Sequence, residues 1–155
     1  MTIWTKQPSL DDVQDRTAKT IVGHIGIEIL EVGDDFLRGR MPVDARTIQP
    51  AGILHGGASV VLAETLGSIA ANYCLKKPDT MAVGLEVNAN HVRSAQSGWV
   101  YGVARPLHIG GSTQLWEIRI EDDNDRLVCM SRLTMAIVPQ RSATQRDGLN
   151  STCRI

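Results

Sequence analysis

The segment HGGASVVLAETLGSIAANYC, residues 55–74, carries one formally charged side chain, that of Glu64. Its neighbours are small or apolar, and a carboxylate removed from water among such residues must find a partner or become protonated. A catalytic role explains the position, because a carboxylate can deprotonate a water molecule or attack an electrophilic carbon atom. The structural alternative is a buried carboxylate that pairs with a basic residue or caps another segment.

Helical spacing groups Glu64 with further candidate residues. A helix that begins near Gly56 places one stripe of side chains on a common face. This stripe contains Gly57, Val61, Glu64, Ser68 and Ala71. Ser68 follows Glu64 by one turn, so its hydroxyl can hydrogen-bond the carboxylate or a water molecule held by it. The free N–H groups of Gly56 and Gly57 at the helix start suit a developing oxyanion, since glycine lets a ligand oxygen come close.

The distance along this helix limits what one chain can do. Gly56 and Glu64 are eight residues apart, and a rise of about 1.5 Å per residue separates them by roughly 12 Å. Two groups at that separation cannot both act on one carbonyl. The simplest solution is a symmetric pair of chains, each of which contributes one half to each site. The sequence therefore predicts a homodimer with composite active sites.

Polar residues outside the helix are further candidates. Gln49 and His55 flank the loop that leads into the helix, and either side chain can donate to a substrate carbonyl. His91 and Arg93 are two positions apart in NANHVRS, so on a strand they point to one face. With the HIGGST segment (108–113), that face offers guanidinium, hydroxyl and N–H donors to phosphate groups. The alternatives are a plain turn for HIGGST and a solvated strand position for Arg93.

Periodicity predicts the elements that hold these residues. A central helix from Gly56 to Tyr73 is hydrophobic nearly all round and ends at KKPD. Alternating residues predict a hairpin before this helix and four strands after it. The predicted strands are residues 25–32, 36–43, 81–93, 98–107, 112–122 and 126–138. A short capped helix runs from Ser9 to about Ile21, and residues 44–55 are predicted to be irregular.

The order of these elements predicts the fold. Two strands, one buried helix and then four strands are typical of the hotdog fold. In this α+β fold, an antiparallel sheet of about six strands wraps around one long central helix. We expect residues 1–138 to form this single domain. Residues 139–155 are polar and aperiodic, and we expect a disordered tail there.

Composition narrows the classes of function. Sixteen basic and seventeen acidic residues give a net charge of -1, which argues against a protein dedicated to nucleic acid. No apolar run reaches the length of a bilayer and the N-terminal residues lack a signal-peptide core, so we expect a cytoplasmic protein without a membrane partner. The three cysteines form no CxxC motif, which indicates neither a disulfide framework nor a metal site.

The segment QPAGILHGGASVVLAETLGS, residues 49–68, resembles the signature of hotdog-fold acyl-CoA thioesterases of the phenylacetate (PaaI-like) and 4-hydroxybenzoyl-CoA thioesterase type. The likeness extends through VGLEVNANHVRSA, PLHIGGSTQLWEIRI and RLTMAIV. Within the family, it is greatest to bacterial 1,4-dihydroxy-2-naphthoyl-CoA hydrolases of menaquinone biosynthesis and to the thioesterases that clear mischarged aryl carrier protein in enterobactin synthesis. The resemblance implies hydrolysis of an acyl-CoA or acyl-carrier-protein thioester without any cofactor, since coenzyme A is part of the substrate. It also implies a dimer of dimers.

The resemblance further implies roles for individual residues. Glu64 would be the catalytic carboxylate, while Gln49, His55 and the N–H of Gly56 would engage the thioester carbonyl. Ser68 and His91 would help to place water or the thiol end of the substrate. Contacts with coenzyme A would fall on Gly84, His91, Val92, Arg93, Ser94, His108, Ile109, Gly110, Gly111, Ser112 and Thr113. Close relatives carry a basic residue in the last segment, where GGST (residues 110–113) of this chain has only small and hydroxyl-bearing residues.

Two other functions are consistent with the sequence. One is a hydratase or dehydratase of the same fold that acts on 2-enoyl thioesters, although the Asp/Glu and His motif usual in such enzymes is absent. The other is a non-catalytic acyl-CoA sensor or binding subunit. The sequence leaves open the acyl group and whether Glu64 is a nucleophile or a general base.

Overall fold

Residues 2–140, the part of the chain described by a computed structural model, form three helices and six strands. In chain order these are α1 (Leu10–Thr17), α2 (Ile21–His24), β1 (Glu28–Val32), β2 (Leu37–Pro42), α3 (Gly56–Tyr73), β3 (Thr80–His91), β4 (Trp99–Ile109), β5 (Thr113–Asp122) and β6 (Leu127–Pro139). The prediction of a central helix from 56 to 73 is confirmed at both ends. Each predicted strand is present, with ends within three residues of those expected.

The strands form one antiparallel sheet in the order β1-β2-β4-β5-β6-β3. With α3 packed against it, this sheet confirms the predicted α+β hotdog fold. Among the strands of residues 2–140, β3 is an edge strand, because it pairs with β6 on one side only. The turn after β4 lies at the same end of the sheet as the start of β3, because Thr113 and Val83 share the partner Ala136.

The core forms where α3 contacts the inner face of the sheet. Leu62, Leu66 and Ala70 are completely buried, as expected of a helix whose side chains are mostly small or apolar. Gly39 of β2 pairs with Gly102 of β4, and the Leu66 side chain lies 2.8 and 2.7 Å from the positions that Cβ atoms on these two residues would take. This pair of glycines lets the helix approach the sheet closely, which fixes the height of α3 above the strands.

The N-terminal helix is shorter than predicted, and a second helix follows it. Ser9 caps α1 as expected, since its hydroxyl accepts from the N–H of Asp12. The predicted continuation to Ile21 is wrong because threonine hydroxyls compete for main-chain groups. Thr17 Oγ1 donates to the C=O of Val13 at 2.8 Å, and Thr20 Oγ1 accepts from the N–H of Val22 at 3.3 Å and caps α2.

None of the helices described in residues 2–140 is long and apolar enough to cross a bilayer.

The last strand continues to the end of the described residues. Pro139 still pairs with Thr80, and the N–H of Gln140 donates to the C=O of Asp79 at 2.8 Å. The pairing of β6 thus extends past residue 138, and most of the predicted tail, residues 141–155, lies outside the described residues.

Candidate active site

Glu64 lies on an exposed stripe of α3 and lines a cavity. The walls of this cavity are mostly apolar and come from three helices: Thr17, Ile21, Val22, Val61, Thr65, Ser68 and Ile69 line it beside Glu64. Within residues 2–140, Glu64 forms no ion pair with a basic side chain. The arrangement does not support the structural alternative of a buried, paired carboxylate.

The backbone of β3 supports the Glu64 carboxylate. Its Oε1 atom lies 2.7 Å from the point where a Cβ atom on Gly84 would sit. A side chain at position 84 would therefore displace the carboxylate. The structure places Gly84 beside the predicted catalytic acid, whereas the resemblance had implied a contact with coenzyme A.

The exposed stripe of α3 differs from the predicted one at its end. Ser68 lines the same cavity as Glu64, but within the described residues no hydrogen bond joins the two side chains. Ala71, which the prediction places on the same face, is completely buried. Asn72, the next residue, is exposed.

A second cavity collects part of the predicted carbonyl-binding and coenzyme A-binding residues. Its lining includes Gln49, Gly56, His91, Val92, Arg93 and Ser94. The His91 ring contacts the start of α3, since its Nε2 atom lies 2.9 Å from the position of a Cβ atom on Gly56. The structure therefore brings Gly56, Gln49 and His91 together within one chain, in a cavity that does not include Glu64.

The start of α3 leaves one N–H group free. His55 is the N-cap residue: its Nδ1 atom accepts from the N–H of Gly57 at 2.8 Å, and its C=O accepts from the N–H of Ala58 at 2.9 Å. Within residues 2–140, the N–H of Gly56 has no acceptor. This group, at the positive end of the helix dipole, is available to bind a ligand oxygen.

The side chain of His55 faces away from the cavity that holds Gln49. It lines a neighbouring cavity with Ile21, Ile48 and Val61, among others. Because Nδ1 is the acceptor in the cap, the ring proton of neutral His55 is assigned to Nε2. The contacts thus give His55 a role in holding the helix tip, a role that its sequence position alone did not indicate.

A small hairpin positions Gln49 in the segment predicted to be irregular. Ile48 and Leu54 form an antiparallel bridge, and the N–H of Gln49 donates to the C=O of Ile53 at 2.9 Å. Gly52 closes the turn with a φ of 75°. The Gln49 Oε1 atom accepts from the N–H of Ala51 at 3.3 Å, which leaves the amide NH2 group as a donor at the cavity.

The two predicted coenzyme A segments lie at opposite ends of the sheet. His91–Ser94 follow the end of β3 and border the cavity of Gly56. The 108–113 segment forms the β4–β5 turn, in which the N–H of Gly110 donates to the C=O of Thr113 at 2.9 Å. That turn lies at the end of the sheet where β3 begins. Within one chain, therefore, both the catalytic candidates and the coenzyme A candidates fall into two separate halves.

Asn72 makes contacts near Gly84 that the sequence did not reveal. Its carboxamide forms hydrogen bonds with both main-chain groups of Ala82, two residues before Gly84. Its spacing from Glu64 gave no signal, because eight residues along a helix turn a side chain roughly 80° away. In residues 2–140, no three His, Cys, Asp or Glu side chains converge in a way that could hold a metal ion.

Comparisons with known proteins show which family the chain resembles. A family model described as the thioesterase superfamily matches residues 51–129. The chain is 50% identical to the 1,4-dihydroxy-2-naphthoyl-CoA hydrolase of Escherichia coli K12 over 136 residues, which are 88% of this chain and 99% of the relative. It is 46% identical to the proofreading thioesterase EntH of Cronobacter turicensis over 136 residues, 88% of this chain and 98% of that one.

Solved structures show the same similarity. A crystal structure of a thioesterase from Haemophilus influenzae superposes with a TM-score of 0.87 at 42% identity and covers 92% of this chain and 99% of its own. A crystal structure of a mutant thioesterase from Pseudomonas aeruginosa also gives a TM-score of 0.87, at 46% identity, with 89% and 99% of the two chains covered.

Proposed function

The chain belongs to the thioesterase superfamily, and we propose that it hydrolyses aryl-CoA thioesters such as 1,4-dihydroxy-2-naphthoyl-CoA to the free acid and coenzyme A. Hydrolysis of a thioester is the activity in the names of its relatives, and the chain is a thioester hydrolase. The observation that carries the proposal is the Glu64 carboxylate, which has no ion-pair partner in the described part of the chain and lies beside an apolar-walled cavity. An aryl group fits such walls, because burial of its faces removes apolar surface from water.

We further propose that two copies of the chain complete the active site. The open edge of β3 leaves main-chain donors and acceptors available to another strand, and Leu85 on this strand is 62% exposed. Antiparallel pairing of two β3 strands about a two-fold axis sets the Gly84 end of one strand opposite the His91 end of the other. Glu64 lies beside Gly84 and His91 lies beside Gly56, so the two halves would meet across that axis.

In this dimer, the thioester carbonyl would bind at the helix tip of one chain. The free N–H of Gly56 and the NH2 group of Gln49 would donate to its oxygen as negative charge develops there. One such donor contributes roughly 3 kcal/mol to stabilisation of the transition state. His91, which touches Gly56, would border the same oxygen or the sulfur atom.

Glu64 of the partner subunit would drive the attack on the carbonyl carbon. As a general base it would take a proton from water while the water oxygen bonds to that carbon and the C–S bond breaks. As a nucleophile it would form a mixed anhydride, which water then hydrolyses. In both cases a thioester and water give a carboxylic acid and a thiol. A single turnover in ¹⁸O-labelled water distinguishes the two mechanisms, since incorporation of label into the carboxylate of Glu64 requires the anhydride.

The phosphates of coenzyme A would bind between the two chains. Arg93 has no ion-pair partner within residues 2–140. In the β4–β5 turn, Gly111 and Ser112 offer main-chain N–H groups without a basic side chain. In the proposed dimer the end of β3 from one chain approaches the β4–β5 turn of the other. Assembly of two dimers into a tetramer and a cytoplasmic location remain predictions from the sequence.

A substrate panel tests the proposal. Aryl-CoA, aliphatic acyl-CoA, enoyl-CoA and aryl-carrier-protein thioesters are incubated with the wild-type protein and Glu64→Ala, and the release of free thiol is measured. We expect fast release from aryl-CoA esters with the wild-type protein and a loss of several orders of magnitude with Glu64→Ala. Tight binding without release would identify an acyl-CoA sensor, and loss of enoyl absorbance without thiol would identify a hydratase.

A further inference from the structure

Asn72 makes an unusual set of contacts at the C-terminal part of α3. Its Oδ1 atom accepts from the N–H of Ala82 at 3.0 Å, while Nδ2 donates to the C=O of Ala82 at 3.2 Å and to the C=O of Ser68 at 2.9 Å. Ala82 lies in the edge strand β3. The carboxamide therefore forms the same two hydrogen bonds with Ala82 that a residue on a neighbouring antiparallel strand would form through its own N–H and C=O.

This pairing fixes the backbone that supports the catalytic acid. Residues two apart on an antiparallel strand face the same edge, so Gly84 is the next residue beyond Ala82 on the side that Asn72 covers. Gly84 is also the residue at which a Cβ atom would lie 2.7 Å from the Glu64 Oε1 atom. Asn72 and Glu64 lie on the same helix, and their side chains lie beside strand residues that are two positions apart.

The strand is irregular at this point. Its pairing with β6 shifts register between Gly84 and Glu86, with Leu85 as the extra residue. A bulge interrupts the ladder and lets a strand bend locally, so β6 alone holds Gly84 less firmly than a regular ladder would. The Asn72 pair supplies an anchor from the opposite side of the strand.

We propose that Asn72 is a positioning residue for the Glu64 carboxylate. By tying α3 to β3 at Ala82, it sets how closely the Gly84 backbone approaches the carboxylate and so where the acid stands in its cavity. Asn72 is absent from the lining of that cavity, so it acts through Gly84 and not by touching substrate. The inference rests on the proposed function, because it gives Asn72 a share in the turnover that Glu64 performs.

Gln114 provides a matched control. It is a buried amide whose Nε2 atom donates to the C=O of Ala71 at 3.3 Å and whose Oε1 atom accepts from Trp116. It thus ties the same end of α3 to β5, not to β3. Gln114→Met removes this tie and leaves the Trp116 N–H without its partner, so it should destabilise the fold at least as much as Asn72→Ala.

The experiment compares wild type, Asn72→Ala, the volume-matched Asn72→Leu, and Gln114→Met with the best thioester of the panel. For both Asn72 variants we expect kcat to fall roughly tenfold or more while KM stays within about threefold, because a misplaced catalytic group slows chemistry more than it weakens binding. Gln114→Met should lower Tm but keep kcat within about twofold of the wild type. In a Glu64→Ala background, Asn72→Ala should cause no further loss of turnover.

Two results would overturn the role of Asn72. One is a kcat of Asn72→Ala within about twofold of the wild type. The other is a loss of kcat in both Asn72→Ala and Gln114→Met that is proportional to the loss of Tm in each variant. Failure of the proposed function is a separate outcome: wild-type protein that releases no more thiol than Glu64→Ala overturns both proposals, whereas normal wild-type turnover with unaffected Asn72 variants overturns only this one.

Discussion

The Oε1 atom of Glu64 faces Gly84 at the place where a side chain would begin, 2.7 Å from the position that a Cβ atom on residue 84 would take. The atom that a new methyl group would meet is the end of a flexible side chain, so the carboxylate can swing away at little cost in stability. We therefore expect a side chain at position 84 to disturb the placement of the acid and not the folding of the chain.

Gly84→Ala should separate activity from stability. We expect kcat to fall roughly 10- to 100-fold, because a displacement of about 1 Å is enough to misplace a catalytic group. The free energy of unfolding, measured with urea, should change by less than about 0.5 kcal/mol. In the Glu64→Ala background, the same substitution should have almost no effect on residual turnover. An additive loss in the double variant would show that Gly84 acts independently of Glu64.

The N–H of Gly56 can be tested without disturbing the helix. Proline is well tolerated at the first helical position, where its missing N–H costs no helical hydrogen bond. The preceding residue, His55, has a φ of -70° and a ψ of 130°, which suits a residue before proline. Gly56→Pro should therefore fold with α3 intact.

Gly56→Ala is the matched control for that variant, because it keeps the N–H and adds a Cβ atom against His91. We expect Gly56→Pro to lose at least about tenfold more kcat than Gly56→Ala, since only the proline removes the oxyanion donor. Circular dichroism checks that both variants fold, and thiol release gives kcat. Equal kcat values in the two folded variants would mean that the main-chain N–H does not bind the developing charge.

The sequence predicted much of this architecture because its local signals are strong. The bounds of α3 follow from a glycine start, an apolar run and the KKPD stop, and each strand follows from alternation between turn residues. The break between α1 and α2 could not be predicted from periodicity, because it depends on which way the hydroxyls of Thr17 and Thr20 turn. The same limit hid the hairpin at residues 48–54, which depends on a main-chain bridge.

The candidate site was predicted by residue type better than by contact. The separation between Gly56 and Glu64 could be calculated from helix geometry, and the structure places these two residues in separate cavities. The role of His55 as a cap and the pairing of Asn72 with Ala82 are long-range or orientation-dependent contacts. A one-dimensional pattern does not specify them, because each needs the position of another element in space.

The buried cysteines predict how stability changes in alkaline solution. Burial raises the pKa of the Cys74 thiol to about 12, and burial also raises the pKa of Cys129. The folded protein thus keeps a proton that the unfolded chain loses above its ordinary thiol pKa of about 8.5. This contribution to stability is complete at a pH below the thiol pKa of the unfolded chain. It is lost as the pH rises towards the thiol pKa of the folded protein.

We therefore expect the free energy of unfolding to fall with rising pH between about 8.5 and 12, by at most about 1.4 kcal/mol per pH unit for each buried thiol. Cys74→Ala should show a shallower decline than the wild type over the alkaline range that urea denaturation can reach. The contrary result is an identical slope in the two proteins, which would mean that Cys74 ionises equally in the folded and unfolded chains.

Mixing two inactive variants tests whether the active site is shared between chains. Glu64→Ala keeps the Gly56 half of the site, and Gly56→Pro keeps the Glu64 half. If the site is composite, a mixed dimer contains one intact site and one site that lacks both groups. Random assembly makes half of the dimers mixed, so co-refolding of equal amounts should restore about a quarter of the wild-type turnover per chain. Each variant refolded alone should stay inactive. If one chain held the whole site, no mixture of the two would regain activity, because every chain would still carry a defect in its own Glu64 or Gly56.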